Sequence, residues 1–354
     1  MQVSNLVLRS IAYATVLALC AAVPTPSDAA ERNWQKNPAI VQIDTAVDVF
    51  AIGDPHGDPE RLIGVLLAAK LIGGAPIDSA QVKWAGGRAV LVVTGDMIDK
   101  GSNSIDVIVL LRTLQAQAES QGGRVIVTMG NHEAEFLADP LGKKTKDFRD
   151  ELKTAGLNPV DIANCGGDIG QFLCGLPIGV RINDWFFSHG GNTNRLSLAQ
   201  LSDSIQDGFR VDGFGTKELI GDNSILEARL NKKGPGNLPW FQEGKSGANP
   251  QKVLAAYAKK LGVRHLVQGH QYGNVRFPDG KGRAESHFFQ RYGLLFLIDT
   301  GMSQGIEESD STGGALRIGG TASDRKAVVI CANGNEETIW SKNKSDRSQV
   351  HCGK

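Results

Sequence analysis

Five short apolar runs, rich in β-branched and aromatic residues, each lead into a loop of glycine and polar residues. The runs are Val47–Ile52, Ala89–Thr94, Val125–Met129, Trp185–Ser188 and His265–Gln268. Continuous apolar runs of this length are typical of strands buried on both faces. Stretches with helical spacing of apolar residues lie between them, at Glu60–Leu71, Ile105–Ala118 and Pro250–Leu261. This alternation indicates an α/β protein, in which ligands bind at the carboxyl ends of the strands.

Two segments interrupt the alternation. Residues 139–168 are charged and mixed, and residues 192–247 are rich in Gly, Asn and Lys. Both follow loops that carry a histidine, so we predict that they are insertions that wall or cap a site. Two further strand candidates, Ala327–Cys331 and Glu337–Trp340, lie in the polar C-terminal part of the chain. These short strands would suit the edge of a second sheet.

The first 29 residues have the pattern of a secretory signal peptide. Arg9 supplies the positive charge, Ile11–Val23 the apolar stretch and Ser27-Asp28-Ala29 a small-x-small cleavage site. The apolar stretch is shorter than the roughly 20 residues that cross a bilayer, which argues against a stable membrane anchor. A lipoprotein cysteine at Cys20 is disfavoured because the residue before it, Leu19, is bulky. We therefore expect an exported protein, periplasmic or secreted.

Composition narrows the functional classes. The 354 residues carry 38 Lys+Arg and 38 Asp+Glu, and 41% of them are hydrophobic. Balanced charge argues against nucleic-acid binding through a strongly basic face, and the hydrophobic fraction excludes a disordered chain.

Four cysteines follow the signal, at Cys165, Cys174, Cys331 and Cys352. Oxidation would allow three pairings, of which Cys165–Cys174 with Cys331–Cys352 joins the nearest neighbours in sequence.

Imidazole, carboxylate and amide groups follow the predicted strands. The strand-end loops contain His56, His132, His189 and His270 together with Asp54, Asp96, Asp99 and Asn131. Any one of these would be an ordinary turn residue or structural histidine. Because parallel strands bring their carboxyl ends to one edge, we expect the side chains to converge. Nitrogen and oxygen donors together suit Mn, Fe or Zn, and suit Ca or a thiolate-type site poorly.

The spacing of these residues favours a centre with two metal ions. Asp54 and His56 are two residues apart in an extended turn and can hold one ion together, while Asp96 can bridge two ions with its two oxygens. Two metals about 3.5–4 Å apart clamp the oxygens of an in-line phosphoryl transfer and acidify a bridging water to hydroxide. His132 follows Asn131 directly and would point beside the metal pair. A general acid that protonates the leaving group belongs there, with Asp99 orienting its ring.

The loops form five ordered motifs. They are Gly53-Asp54-Pro55-His56-Gly57, Gly95-Asp96-Met97-Ile98-Asp99-Lys100-Gly101, Gly130-Asn131-His132-Glu133, His189-Gly190-Gly191 and Gly269-His270-Gln271. Over residues 47–305 the chain resembles the calcineurin-like metallophosphoesterases, within them the phosphoprotein phosphatase branch, and most of all the bacterial Shewanella-like phosphatases. Many calcineurin-like nucleases and nucleotidases carry a second histidine after the last motif, whereas Gln271 and Tyr272 fit the phosphatase branch.

The resemblance implies a fold and a set of roles. The fold would be an αββα four-layer sandwich of two mixed β-sheets flanked by helices. By position, Asp54 and His56 would hold the first metal, Asp96 would bridge both, and Asn131, His189 and His270 would hold the second. A metal-bridging hydroxide would attack phosphorus in line with His132, the general acid that Asp99 supports. The catalytic domain would span residues 46–305 after an extension at residues 30–45, and strands in residues 306–354 would complete the second sheet.

Two departures from the family pattern affect the substrate. Lys100 stands where the family has Arg, and Gln242 falls where a second phosphate-binding Arg is expected. Lysine keeps the charge but lacks the bidentate geometry of a guanidinium group. Arg149 or Lys245 could compensate.

We expect a phosphomonoesterase of the serine/threonine protein phosphatase type, acting on a phosphorylated protein or a small phosphoester. Phosphotyrosine and dinucleotide polyphosphates are alternative substrates. A catalytically silent, secreted metal-binding protein is the alternative from another class, although a pure binding protein would not need the His132–Asp99 pair.

Other short motifs lack the context that their function requires. Gly301-Met302-Ser303-Gln304-Gly305 fits a nucleophile elbow, but no amphipathic helix follows it. Gly244-Lys245-Ser246 resembles the end of a P-loop, but Pro239 occupies the required glycine position. His265, His287 and His351 have no partner spacing typical of a site, so we expect core or surface roles for them.

Overall fold

A computed structural model of the protein describes residues 32–230, 249–277, 280–321, 324–342 and 348–353. The predicted signal peptide, Gln242, Lys245 and the P-loop-like match lie outside these residues. No helix within the described ranges is both long and apolar enough to cross a membrane.

The strands and helices of the described residues follow each other largely as the sequence predicts. In chain order the strands are β1 (Ile40–Ile43), β2 (Val49–Ile52), β3 (Val90–Val93), β4 (Arg124–Val127), β5 (Gly179–Ile182), β6 (Trp185–Ser188), β7 (His265–Gln268), β8 (Val275–Arg276), β9 (Gly282–Arg283), β10 (His287–Arg291), β11 (Leu295–Leu297), β12 (Gly314–Gly319), β13 (Lys326–Cys331), β14 (Glu336–Ser341) and β15 (Gln349–His351). The α-helices are α1 (Pro59–Ala68), α2 (Ser104–Ser120), α3 (Asn131–Ala138), α4 (Lys146–Thr154), α5 (Pro159–Ala163), α6 (Gly167–Gly175), α7 (Leu198–Asp212), α8 (Lys217–Ile220) and α9 (Pro250–Leu261).

The five motif strands divide between two mixed sheets. One sheet has the order β14-β13-β12-β2-β3-β4, and the other the order β1-β5-β6-β7-β11-β10-β15. Strands β2, β3 and β4 are parallel neighbours in the first sheet, and β6 and β7 are parallel neighbours in the second. The expected convergence at one sheet edge therefore needs correction, because the motif loops come from two sheets.

Alternation along the strands explains why both faces are buried. In β2, Val49 and Ala51 belong to an apolar cluster that also contains Val180, Phe187 and other side chains of the second sheet. Phe50 belongs to the larger cluster that includes the helical side chains. Because side chains alternate between the two faces of a strand, each sheet packs against the other sheet on one face and against helices on the other. This is the αββα sandwich that the resemblance implied.

The C-terminal strands extend both sheets. β12 pairs antiparallel with β2, in the register Leu316↔Ala51, and β13 and β14 continue outward from it. The two strand candidates in this part of the chain were expected at the edge of a second sheet, but they lie in the same sheet as β2. Among the C-terminal strands that the structure describes, β15 alone joins the other sheet, next to β10. β2 pairs with β3 on one side and with β12 on the other. Without β12, the buried backbone N–H and C=O groups on that second side would have no hydrogen-bond partners.

The insertions and the cysteines complete the described structure. Residues 139–168 form α4, α5 and the start of α6, and the described part of the second insertion forms α7 and α8.

Disulfides join Cys165 to Cys174 and Cys331 to Cys352, which confirms the pairing of nearest neighbours in sequence. The second disulfide ties the end of β13 to the residue that follows β15.

Candidate metal centre

The loops at the ends of the motif strands meet at one place in the structure. Asp54, Asp96 and Asn131 follow strands of the first sheet, whereas His189 and His270 follow β6 and β7 of the second. The backbone here is unusual, because several non-glycine residues have positive φ angles. These are His56 (39°), Asp96 (50°), Asp99 (63°), Lys100 (66°) and His270 (65°). Left-handed backbone is costly for such residues and concentrates at functional sites, where surrounding contacts impose it.

His56 and Asp54 form the first part of the centre. The His56 ring places Nδ1 3.0 Å from the carbonyl of Ile98, so Nδ1–H donates there and the Nε2 lone pair faces inward. Burial lowers the pKa of His56 to about 3, which keeps this nitrogen free at neutral pH. Oδ2 of Asp54 accepts the backbone N–H of His270 at 2.8 Å. Its Oδ1 is buried and has no hydrogen-bond partner among the described residues.

The Asp54 oxygen that lacks a hydrogen-bond partner shows whether a cation would fit at this position. Burial raises the pKa of Asp54 well above its ordinary value, and the nearby Asp299 carboxylate raises it further. A buried, unpaired carboxylate is expensive, and a bound cation removes that cost by supplying the missing partner. The residues at this position therefore fit a metal ion.

His189, His270 and Asn131 form the second part. His189 Nδ1–H donates to the carbonyl of Thr94 at 2.8 Å, and its Nε2 lies 3.0 Å from Oδ1 of Asn131. His270 Nε2–H donates to the carbonyl of Glu227 at 3.1 Å, which leaves Nδ1 3.0 Å from His189 Nε2. Two inward-facing imidazole nitrogens and an amide oxygen form a donor set for a divalent transition metal.

Asp96 lies between the two parts. Its Oδ2 is 3.4 Å from His56 Nε2 and 3.3 Å from His189 Nε2, while Oδ1 accepts the backbone N–H of His132 at 3.1 Å. Burial works against the charged form, yet His189 and His132 hold the pKa of Asp96 well below its usual range. Ligand atoms of Asp96, His189 and His270 lie within 4.8 Å of one another, as do those of Asp96, His56 and His132. Asp96 thus belongs to both groups, which is the placement required of a bridging ligand.

The predicted acid pair is assembled beside this carboxylate. His132 Nδ1 is 2.9 Å from Asp99 Oδ2, and Asp99 Oδ1 accepts the backbone N–H of Phe148 at 2.9 Å. The Nε2 of His132 lies 4.0 Å from Asp96 Oδ2, and the side chain is 18% exposed. Burial would lower the pKa of His132, but Asp96 and Asp99 outweigh it and raise the pKa to about 9. The imidazolium form therefore persists at neutral pH.

The sequence reasoning gave no role to Glu133, although it is part of the third motif. Its buried carboxylate accepts the backbone N–H groups of Gly130 (2.8 Å), Asp96 (2.9 Å) and Met97 (2.7 Å). It thereby fastens the loop after β3 to the start of α3. Only the motif itself could have signalled Glu133, because two of its partners lie more than thirty residues away in sequence.

The nucleophile-elbow match also has a structural role. The hydroxyl of Ser303 is buried and donates to the carbonyl of His56 at 2.8 Å. It therefore supports the first metal-binding loop and is not presented as a nucleophile.

His265 stacks on Trp185 with ring centroids 4.0 Å apart, and His287 stacks on His351 near the surface. The expected core and surface roles of these histidines are confirmed.

Two basic residues considered for phosphate binding, Lys100 and Arg149, differ in exposure and in their hydrogen bonds. Lys100 is exposed next to the loop of Asp99. The Arg149 guanidinium instead donates to the carbonyls of Leu141 and Gly142 at 2.8 and 3.1 Å and to Asp150 at 3.3 Å. The Arg149 guanidinium is thus hydrogen-bonded within its own segment. The structure does not show it replacing the phosphate-binding arginines that the chain lacks.

Loops from two facing sheets thus bring together nitrogen and oxygen donors that suit transition-metal ions. Residues 47–274 match the family model of the calcineurin-like phosphoesterases, so the chain belongs to that family. It is a metal-dependent phosphoric ester hydrolase, as the five motifs predicted.

Similar proteins agree with this assignment. Shewanella-like protein phosphatase 1 of Plasmodium berghei is 29% identical over 270 residues, which cover 72% of this chain and 67% of that protein. An uncharacterized protein of Schizosaccharomyces pombe is 41% identical over 278 residues, covering 72% and 73% of the two chains. Among solved structures, the cold-active protein-tyrosine phosphatase of a psychrophilic Shewanella matches with a TM-score of 0.61 and 21% identity, covering 84% of this chain and 82% of that chain. The last match shows the fold alone.

Proposed function

We propose that this protein is an exported phosphomonoesterase of the serine/threonine protein phosphatase type. The observation that carries the proposal is the His132–Asp99 pair beside Asp96, because a protonated imidazole at that place serves turnover and has no use in simple metal storage. The similarity to a Shewanella-like protein phosphatase supports a phosphorylated protein as substrate. The signal-like N-terminus is the basis for export to the periplasm or medium.

The donor set supports sites for two ions, for which we favour manganese, while iron or zinc would also fit. Asp54 and His56 would hold one, Asn131, His189 and His270 the other, and Asp96 would serve both. Ions bound there supply charge for the phosphate oxygens and lower the pKa of water.

The remaining chemistry belongs to side chains outside the ligand set. His132 donates a proton from Nε2 to the departing oxygen, and Asp99 holds the ring through Nδ1. This lowers the barrier because the leaving alkoxide is neutralised as the bond to phosphorus breaks. Lys100 contributes one positive charge for the phosphate, without the two parallel hydrogen bonds of an arginine.

A substrate panel tests this proposal. The protein from Ala30 onward would be assayed with Mn²⁺ on p-nitrophenyl phosphate, on phosphoserine, phosphothreonine and phosphotyrosine peptides, and on a dinucleotide polyphosphate, with Asp96→Asn as the blank. We expect metal-dependent phosphate release that is fastest on phosphoserine or phosphothreonine. A preference for phosphotyrosine or polyphosphate would overturn the substrate assignment. Silence on every substrate, from protein that holds two metals, would favour the metal-binding alternative.

A further inference from the structure

A depression of about 850 Å³ is lined by residues of the motif loops, among them Gly57, which follows His56, and Lys100, which follows Asp99. Its floor contains backbone of Gly57, Gly101 and Gly305. Gly101 N–H donates to the carbonyl of His56 at 3.0 Å, so the floor is continuous with a metal-binding loop. The packing is close, since a Cβ on Gly101 would come within 2.3 Å of the His56 carbonyl oxygen. A ligand in the depression would therefore meet a floor fixed relative to the reacting groups.

The walls of the depression are acidic. Glu60, Asp78 and Asp106 line it and are exposed. Within the described ranges, no lysine, arginine or histidine forms an ion pair with any of the three. Lys100 is the single basic side chain that lines the depression among the described residues. Ile77, which also lines it, is 99% exposed, so an apolar contact is available beside the acidic walls.

Two lysines on another flank of the centre are paired with acidic neighbours. The Lys144 ammonium contacts Glu135 and lies 3.8 Å from Glu227, whose backbone carbonyl accepts from His270. Lys146 pairs with Asp150 at 2.8 Å. Arg229 adds positive charge beside the centre, because it is exposed and its guanidinium donates to the carbonyl of His270 at 3.5 Å. The depression differs from that flank, because three exposed carboxylates line it together with Lys100.

We propose that this depression binds the peptide flanking a phosphorylated residue and selects substrates with lysine or arginine next to the phosphate. Lys100 and the metal ions would take the phosphate, while Glu60, Asp78 and Asp106 would attract the basic side chains and Ile77 would contact an apolar one. Opposite charges across an interface mainly set partner choice and encounter rate, and they weaken as salt rises. The inference rests on the proposed phosphatase function and defines its substrate class.

Each acidic residue also has a local structural use, which the experiment must separate. Glu60 and Asp106 lie in the first turns of α1 and α2, where negative charge stabilises a helix, and Asp78 caps a short 3-10 turn. The test variant is Glu60→Gln/Asp78→Asn/Asp106→Asn. The matched control is Asp161→Asn/Asp168→Asn/Glu218→Gln, which removes three first-turn acids from helices that do not line the depression.

Kinetics on two phosphothreonine peptides, one flanked by arginines and one by glutamates, decide the outcome, with p-nitrophenyl phosphate as a reference. The wild type and the control should prefer the basic peptide at low salt. The test variant should raise KM for that peptide roughly 5- to 30-fold and leave p-nitrophenyl phosphate within twofold. Added NaCl should weaken the wild-type preference.

Two results would overturn the inference, and they are distinguishable. If the wild type hydrolyses both peptides with equal KM, or if test and control variants change alike, the depression does not select basic substrates while the phosphatase assignment stands. If the wild type cleaves p-nitrophenyl phosphate but neither peptide, the protein phosphatase assignment fails together with the inference.

Discussion

The candidate imidazole ligands of the centre are oriented by hydrogen bonds to backbone carbonyls. His56 donates to Ile98, His189 to Thr94, and His270 to Glu227 through its other nitrogen. Such bonds fix which nitrogen carries the proton and therefore which lone pair faces a metal. His132 differs because its partner is the Asp99 carboxylate. A charged partner stabilises the protonated ring, which suits an acid and would disfavour a ligand.

The acid role of His132 makes a prediction about pH. Its folded pKa of about 9 is above the ordinary value, so the acid form is lost only as pH rises through that range. Asp99→Asn keeps an acceptor for the Phe148 N–H but removes the charge. Because Asp96 still raises the pKa of His132 in this variant, we expect the alkaline limb of kcat to move to lower pH without losing the whole shift, with a fall in kcat of about twofold or more at pH 8. A pH profile at saturating metal measures this, and an unmoved alkaline limb would contradict the assignment.

At the scale of elements, the centre depends on loops that are tied to one another. Glu133 at the start of α3 accepts N–H groups from the loop after β3, and Ser303 supports the loop after β2. These contacts hold several left-handed residues in place. Hydrogen bonds to a charged acceptor are the stronger ones, and removing one partner leaves buried donors unsatisfied.

Glu133→Gln tests this fastening. A glutamine amide carries donors where the carboxylate offers only acceptors, so at least one buried N–H loses its partner. We expect a loss of about 1–3 kcal/mol in the free energy of unfolding, together with weaker metal binding, because the Asp96 loop would loosen. Urea unfolding and a metal titration measure the two effects. The control is Glu119→Gln on the exposed end of α2, which should change neither, and a neutral Glu133→Gln would refute the fastening role.

The sequence identified the candidate ligands, which the structure brings together, but it did not predict the arrangement of the elements that carry them. Each candidate ligand lies within four residues of the end of an apolar run, so its position could be predicted from the local sequence. The division of β2–β4 and β6–β7 between two sheets could not, because burial on both faces does not specify which strands are neighbours. The pairing of β12 with β2 and the partners of Glu133 are long-range contacts that no local pattern encodes.

At the scale of the whole molecule, the centre joins the two sheets. Asp54, Asp96 and Asn131 come from the first sheet, and His189 and His270 from the second. At this junction of the sandwich one buried Asp54 oxygen has no hydrogen-bond partner among the described residues. Cations bound there would link the two sheets and supply that partner.

Metal should therefore stabilise the folded chain as a unit. A ligand at 100 times its Kd that binds only the native state contributes about 2.7 kcal/mol per site. We expect Mn²⁺ to raise the thermal midpoint by several degrees relative to protein in EDTA, and Asp96→Asn to lose most of this rise. Calorimetry measures the shift, and an equal rise in Asp96→Asn would show that the metal binds elsewhere.

The protein interior carries a second pH-dependent group away from the centre. His265 lies between Trp185 and Trp340, and burial lowers its pKa to about 4. A lowered histidine pKa means that the unfolded chain binds more protons, so stability is complete above pH 6.5 and is lost as pH falls toward 4. We expect His265→Gln to flatten this acid dependence, by about 1–3 kcal/mol between pH 7 and 4, in urea unfolding. An unchanged pH dependence would contradict the buried neutral state.

Metal content and turnover measured on the same samples test the central claim most directly. Wild type, Asp96→Asn and His132→Asn would be loaded with Mn²⁺, freed of excess ion, analysed for bound metal, and assayed on p-nitrophenyl phosphate. We predict two ions in the wild type, loss of metal and activity in Asp96→Asn, and two ions with kcat reduced about 10²–10⁴-fold in His132→Asn. Normal turnover in His132→Asn, or full metal and activity in Asp96→Asn, would contradict the assigned roles.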